Sequence, residues 1–131
     1  MASQAPGAVG RALAIPLAAK LLGNKSNFAP SAISYVSVGD GSVNNAHFLS
    51  SINFAKYCEF RGIKCPIVFV VTDNNRCISL KGYNWVNEFI KGFSAINSAS
   101  SNGGNSDNLQ VADGNDIEDI YRKSKTVIDF T

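Results

Sequence analysis

The sequence predicts an α/β domain, a three-layer sandwich around a mainly parallel sheet of about three to five strands. Two observations carry that expectation. Two short apolar runs, residues 33–38 (Ile-Ser-Tyr-Val-Ser-Val) and residues 67–72 (Ile-Val-Phe-Val-Val-Thr), read as buried strands of a parallel sheet. Between them, residues 47–61 set Phe48, Leu49, Ile52, Ala55 and Cys58 at helical spacing, so the unit reads strand, helix, strand. With 131 residues and 45% apolar composition the chain can build one core, and a single domain over 1–131 is expected.

The amino end is an Ala-rich stretch with Arg11, Lys20 and Lys25 and no acidic residue before Asp40, a composition shared with mitochondrial presequences. A helix of the fold is the preferred reading. Gly7, Ala8, Gly10 and Ala14 would let it approach the sheet closely, and Pro16 removes one helical hydrogen bond and should kink it near Ala12. The uncharged stretch between Arg11 and Lys20 is far short of the ~20 residues that span a bilayer, so no membrane segment is expected. Downstream, residues 83–93 (YNWVNEFIKGF) place Trp85, Phe89 and Ile90 with Val86 and Phe93 at helical spacing, either as core or as an interface with a missing domain. Residues 95–108 (AINSASSNGGNSDN) are a low-complexity loop. A short strand follows at residues 109–111. The turn at residues 113–116 then caps a helix over residues 117–125, with Glu118 and Asp119 in its first turn and Lys123 and Lys125 in its last to complement the dipole.

Each apolar run ends in a motif with a defined chemistry. Gly39-Asp40-Gly41-Ser42 follows the first and Asp73-Asn74-Asn75 the second, both at the carboxyl ends of strands, where open α/β sheets bind ligands. A hard cation such as Mg2+ takes oxygen ligands in near-octahedral geometry and shares them between protein and phosphate. Asp40 offers a carboxylate and Asn75 an amide oxygen. Gly41 has no side chain to obstruct a phosphate, and Ser42 leads toward a helix amino end, where free N–H groups favour an anion.

These residues carry a resemblance. Gly-Asp-Gly followed at a distance by Asn-Asn resembles the thiamine diphosphate motif. Residues 39–55 (GDGSVNNAHFLSSINFA) are similar to the alpha-type E1 component of 2-oxo acid dehydrogenases, as are residues 3–14 (SQAPGAVGRALA) and 111–121 (VADGNDIEDIY). The resemblance implies a Rossmann-like thiamine diphosphate-binding domain. Asp40 and Asn75 would ligate Mg2+ through their side chains and Cys77 through its main-chain carbonyl, with Gly41 and Ser42 touching the diphosphate. It further implies oxidative decarboxylation of a 2-oxo acid with acyl transfer to a lipoyl-bearing E2 partner, in the cytoplasm or the mitochondrial matrix. Members of the family are considerably longer, which points to a truncated domain. The glutamate that activates the pyrimidine ring comes in the family from a beta-type chain or another domain. Glu59, Glu88 and Glu118 stand in no matching motif, so the catalytic residue is unassigned. The stretch between Gly41 and Asn74 is longer than in most such chains, and the excess is expected in residues 59–65 (EFRGIKC).

Other classes fit less well. Twelve basic against ten acidic residues give a net charge of +2, and no basic run interleaves with aromatics, which argues against nucleic acid. Cys58, Cys65 and Cys77 lack Cys-x-x-Cys spacing, which argues against zinc or a disulfide framework and fits a reducing compartment. His47 reads as a polar residue in a helical first turn or as a neighbour of the cofactor. As the only histidine it cannot supply the histidine-rich sugar site of a transketolase-type enzyme, the alternative catalytic reading. A non-catalytic fragment that needs a partner chain is the other alternative. A generic Rossmann-like binder in which Gly-Asp-Gly is a chance turn also remains, although no Gly-x-Gly-x-x-Gly is present.

Overall fold

The computed structural model describes residues 1–77, 84–94 and 109–131. Among the described residues, four α-helices, α1 (Gln4–Leu22), α2 (Ala46–Phe60), α3 (Trp85–Ser94) and α4 (Ile117–Phe130), accompany two strands, β1 (Ser34–Gly39) and β2 (Ile67–Thr72). The strands pair in parallel, from Ser34 opposite Ile67 to Gly39 opposite Thr72, with α2 as the crossover. The architecture is α/β, and the sheet among the described residues has two strands rather than three to five. Residues 109–111, expected as a strand, are irregular. Three residues offer too short a ladder to offset the entropy of ordering them. The low-complexity stretch at 95–108 lies outside the described residues.

The core forms where one face of the strand, helix, strand unit meets α1 and α3. Val36 and Val38 of β1 join Phe48 and Ile52 of α2, Ala5 of α1 and Val86 of α3, with Phe69 of β2 packed against them. Phe48 is fully buried and meets the Phe69 ring edge to face, 5.8 Å between centroids. β1 alternates strictly between buried and exposed positions, so its other face is open and Tyr35 is 61% exposed. The sequence reading had both runs buried. A parallel sheet ordinarily carries helices on both faces, and here one side of β1 has no such cover among the described residues.

Both ends of α2 have a local cause. Asn45 caps α2 by accepting the His47 backbone N–H at 3.0 Å. At the other end Gly62, at φ +66°, turns the chain back; its N–H bonds the Glu59 carbonyl and the Ile63 N–H bonds the Cys58 carbonyl, the paired bonds of a Schellman stop. This turn falls within residues 59–65, the segment expected to hold the excess length. α1 continues through Pro16 as one element to Leu22, longer than residues 3–14. Its core-facing residues are Ala5, Val9, Ala12 and Ile15, whereas a Cβ at Gly7 or Gly10 would meet nothing within 4 Å. The alanines, not those glycines, permit the close approach in which Ser34 Oγ donates to the Ala8 carbonyl at 2.8 Å. By length and composition the segment Gln4–Lys25 would also reach across a bilayer, but α1 packs on β1 and α2.

α4 starts as its sequence indicates and runs on to Phe130, past Lys125. Asp116 caps it by accepting the Glu118 and Asp119 N–H groups. Asp119 reaches back to accept the Asp113 N–H at 3.0 Å and pairs with Arg122 at 2.7 Å. The Asp113 N–H, and after it Arg122, hold the Asp119 carboxyl below the ordinary aspartate range. A depressed folded-state value stabilises above the unfolded value of about 4 and is lost as pH falls through the depressed one. Thermal unfolding followed by circular dichroism between about pH 6 and pH 3 should therefore be less acid-sensitive in Asp119→Asn than in the parent, from a lower starting stability. An unchanged acid slope would exclude this role for Asp119.

Candidate functional site

The parallel register brings the two motifs together. Gly39 lies opposite Thr72, so the chain leaves both strands side by side, and Thr72 Oγ1 donates to the Val38 carbonyl at 3.4 Å. Asp40–Ser42 then forms a single 3-10 turn in which the Val43 N–H bonds the Asp40 carbonyl and the Asn45 N–H bonds that of Ser42. Asp40 is 8% exposed. Its Oδ1 accepts the Gly41 N–H at 2.8 Å, and its Oδ2 accepts the Arg76 N–H at 3.0 Å, which ties the first motif to the loop after β2. A Cβ on Gly41 would lie 3.3 Å from the Cys77 Cβ, so any larger residue here would require Cys77 to give by a few tenths of an ångström.

The second motif is built by side-chain turn chemistry. Asp73 Oδ1 accepts the Asn75 N–H at 2.8 Å, and Asn74 Oδ1 accepts the Arg76 N–H at 2.9 Å. Asn75 takes φ +56°, a left-handed conformation that asparagine tolerates better than most residues. Its Oδ1 accepts the Asn84 backbone N–H at 3.1 Å, and the Trp85 indole N–H donates to Asn44 Oδ1 at 3.1 Å. The start of α3 is thus fastened to both loops. Neither Asn44 nor Asn84 stands out in the sequence, because both bonds join positions set together only by the fold. Trp85 is half exposed, whereas Val86 from the same turn is buried.

Gly41 and Cys77 meet, and Asp40 is tied to Arg76, with Ser42 half buried at the end of the 3-10 turn; Asn75, the neighbour of Arg76, is exposed and its Oδ1 is engaged by the Asn84 N–H. His47 is exposed in the first turn of α2, its N–H taken by Asn45. The donor set, a carboxylate, an amide oxygen and a main-chain carbonyl, suits a hard cation. Asp40 and Asn75 each retain acceptor capacity beyond the N–H bonds they hold. Burial, then the carboxylates of Asp40 and Asp73, push the Cys77 thiol above its ordinary value, which disfavours the thiolate. Among the described residues no three His, Cys, Asp or Glu side chains converge as a metal set. The proposed ligands include only one such side-chain donor.

A cleft of about 760 Å3 opens beside this site. Thr72, Asp73, Asn75 and Asn84 line its polar end, and Phe48 and Phe69 belong to its apolar wall. Its volume lies within the roughly 300–1,000 Å3 usual for cofactor and small-molecule sites. Asp40 is not among its lining residues, so the cleft reaches the second motif, at Asp73 and Asn75, and not the first.

Fold and cluster together define a small α/β protein with two loops joined at the carboxyl edge of a parallel pair. Comparison with family models, with curated proteins and with solved structures returns no match.

Proposed function

We propose that this chain is the thiamine diphosphate- and Mg2+-binding part of a 2-oxo acid dehydrogenase E1 component, within a three-layer thiamine diphosphate domain completed by further sheet and helix. The observation that carries the reading is the Arg76 N–H bond to Asp40 Oδ2, together with the contact of Gly41 on Cys77. It supports a clamp in which Asp40, Asn75 and the Cys77 carbonyl hold Mg2+ while Gly41 and Ser42 face the diphosphate. Bound thiamine diphosphate would supply the electron sink for decarboxylation of a 2-oxo acid. The chain's own part is to bind and orient. The buried Asp40 carboxylate would supply the charge that holds the cation, and the bonded loops would limit reorganisation on binding.

Glu59, Glu88 and Glu118 sit exposed on α2, α3 and α4, and the activating acid is assigned to a beta-type E1 chain. The lipoyl-bearing E2 would receive the acyl group, in the cytoplasm or the mitochondrial matrix. A specific observation favours a second reading, a non-catalytic fragment that binds only with a partner chain. Large apolar side chains stand exposed on several elements, among them Tyr35, Phe60, Leu21 and Ile117, the last at 84%.

Calorimetric titration with thiamine diphosphate, with and without Mg2+, tests the proposal. Mg2+-dependent heat is expected. Heat in neither titration would favour the fragment that needs a partner, and equal heat in both would remove the cation from the site.

A further inference from the structure

The edge of the sheet opposite the clamp gathers two exposed helix ends. α1 runs antiparallel to β1: Gln4 Nε2 donates to the Ser37 carbonyl toward the end of the strand, and the Ala8 carbonyl accepts from Ser34 Oγ at its start. At about 1.5 Å per residue Leu17 lies about 14 Å past Ala8, so the last turns of α1 project beyond the amino edge of the sheet. α2, as the crossover, runs back to the same edge and ends there at Phe60, where Gly62 turns the chain toward β2.

Both ends are apolar on the outside. Leu17 and Leu21, one turn apart, stand on the side of α1 away from Ala5, Val9, Ala12 and Ile15 and are 55% and 71% exposed, and Leu22 is exposed beside them. Tyr57, Phe60 and Ile63 are exposed at the end of α2 and its turn. A helix that is apolar on its outer face as well as its inner one calls for a second apolar neighbour. The charge on these elements is of one sign. Residues 1–39 hold Arg11, Lys20 and Lys25 and no acid, and residues 46–66 add Lys56, Arg61 and Lys64 against Glu59 alone, which Lys56 pairs at 2.8 Å. Lys20, Lys25 and Lys64 have no carboxylate within ion-pair distance among the described residues.

We propose that this end of the molecule is a docking surface for an anionic lipid bilayer, which the chain meets at the level of the headgroups without crossing it. The leucines of α1 and Phe60 enter the boundary between headgroups and acyl chains, and Lys20, Lys25, Arg61 and Lys64 extend their charged tips to lipid phosphates and carboxylates. An anionic bilayer matches both properties of the surface, apolar depth and negative charge. Gln4–Lys25 is long and apolar enough to span, but its buried residues hold α1 on β1 and α2, so only its outer face and last turns are left for lipid. The clamp lies at the carboxyl edge of the sheet and stays open in the docked chain. The inference stands whether or not that clamp holds thiamine diphosphate.

The test is cosedimentation of the full chain with large vesicles of phosphatidylcholine alone or with about 30% phosphatidylserine. The chain should pellet with the anionic vesicles and stay in solution with the neutral ones, and high salt should release it. Lys20→Glu combined with Lys25→Glu should weaken binding at least about twentyfold, at about fivefold per lost cation. Leu17→Gln combined with Leu21→Gln, at exposed positions where helix propensity is kept, should weaken it as well. Lys123→Glu combined with Lys125→Glu on α4 makes the same change of charge and should bind nearly as the parent does. Binding to neither vesicle, the result expected where a partner chain or a second copy covers the leucines, would overturn the proposal. So would equal pelleting with both vesicles, or an equal loss in the α4 variant, which would reduce the effect to the attraction of a basic chain.

Discussion

Asp40→Ala should abolish Mg2+-dependent binding of thiamine diphosphate and also destabilise the chain by about 2 kcal/mol. The two losses have separate causes. The carboxylate is the one anionic group proposed for the clamp, so its removal takes away the charge that would hold the cation. It also accepts the Gly41 and Arg76 N–H groups; in the alanine variant the Gly41 N–H loses this acceptor and the Arg76 N–H, still held by Asn74 Oδ1, loses the bond that ties the two loops. Asp40→Asn separates them, because an amide oxygen still accepts one of these N–H groups but carries no charge. Unfolding by urea should find Asp40→Asn closer to the parent than Asp40→Ala, while calorimetry finds neither binding the cofactor with Mg2+. Retained Mg2+-dependent binding in Asp40→Asn would sink the assignment of Asp40 as ligand and leave the residue a purely structural tie.

Phe48→Ala should cost about 3–5 kcal/mol, a large part of the 5–15 kcal/mol that a domain typically has. Phe48 has no exposed surface, sits among Val36, Val38 and Ile52, and meets Phe69 edge to face. Its removal opens a cavity between α2 and the sheet that neighbours on opposite sides cannot close together. Phe48→Leu keeps most of the volume and should cost less. Urea unfolding measures both, and a Phe48→Ala loss below about 1 kcal/mol would mean that this cluster is not the centre of the core.

The sequence was most legible where period and composition agree. β2 coincides with the apolar run at residues 67–72 and α2 with the helical spacing at 47–61 to within one residue at each end, because each pattern reports a face buried in the fold. β1 lies one residue later than the run at residues 33–38, and its alternation was not read from the sequence, because Ser34 is buried and Tyr35 exposed, against their polarity. Alternation over only three residues misled, as at residues 109–111, Leu-Gln-Val. Small residues also misled. Gly7 and Gly10 look suited to close packing, but which face of α1 meets β1 depends on Ala5, Val9, Ala12 and Ile15 at larger spacing.

Both site motifs were visible as residue types, and Asp73-Asn74-Asn75 equally spells the turn chemistry it performs. Their meeting was inferred from strand-end placement, and it depends on the register that sets Gly39 opposite Thr72. The fastening of α3 through Asn44, Asn75, Asn84 and Trp85 was not legible. Trp85 reads as a core aromatic from its spacing, and nothing local reveals that its indole nitrogen faces a polar partner forty-one positions earlier.

The parallel pairing has a kinetic consequence. Ser34 meets Ile67 and Gly39 meets Thr72, so no sheet contact is local, and the chain must close a long loop before the first ladder bond is made. Formation of α2 early would shorten the span to be closed, and its Phe48 would offer the first apolar surface on which β1 and β2 could collect. The Asp40 to Arg76 bond can form only after both strands have found register. Nascent chains released before residue 76 can carry the whole first motif yet lack the tie that holds it in place.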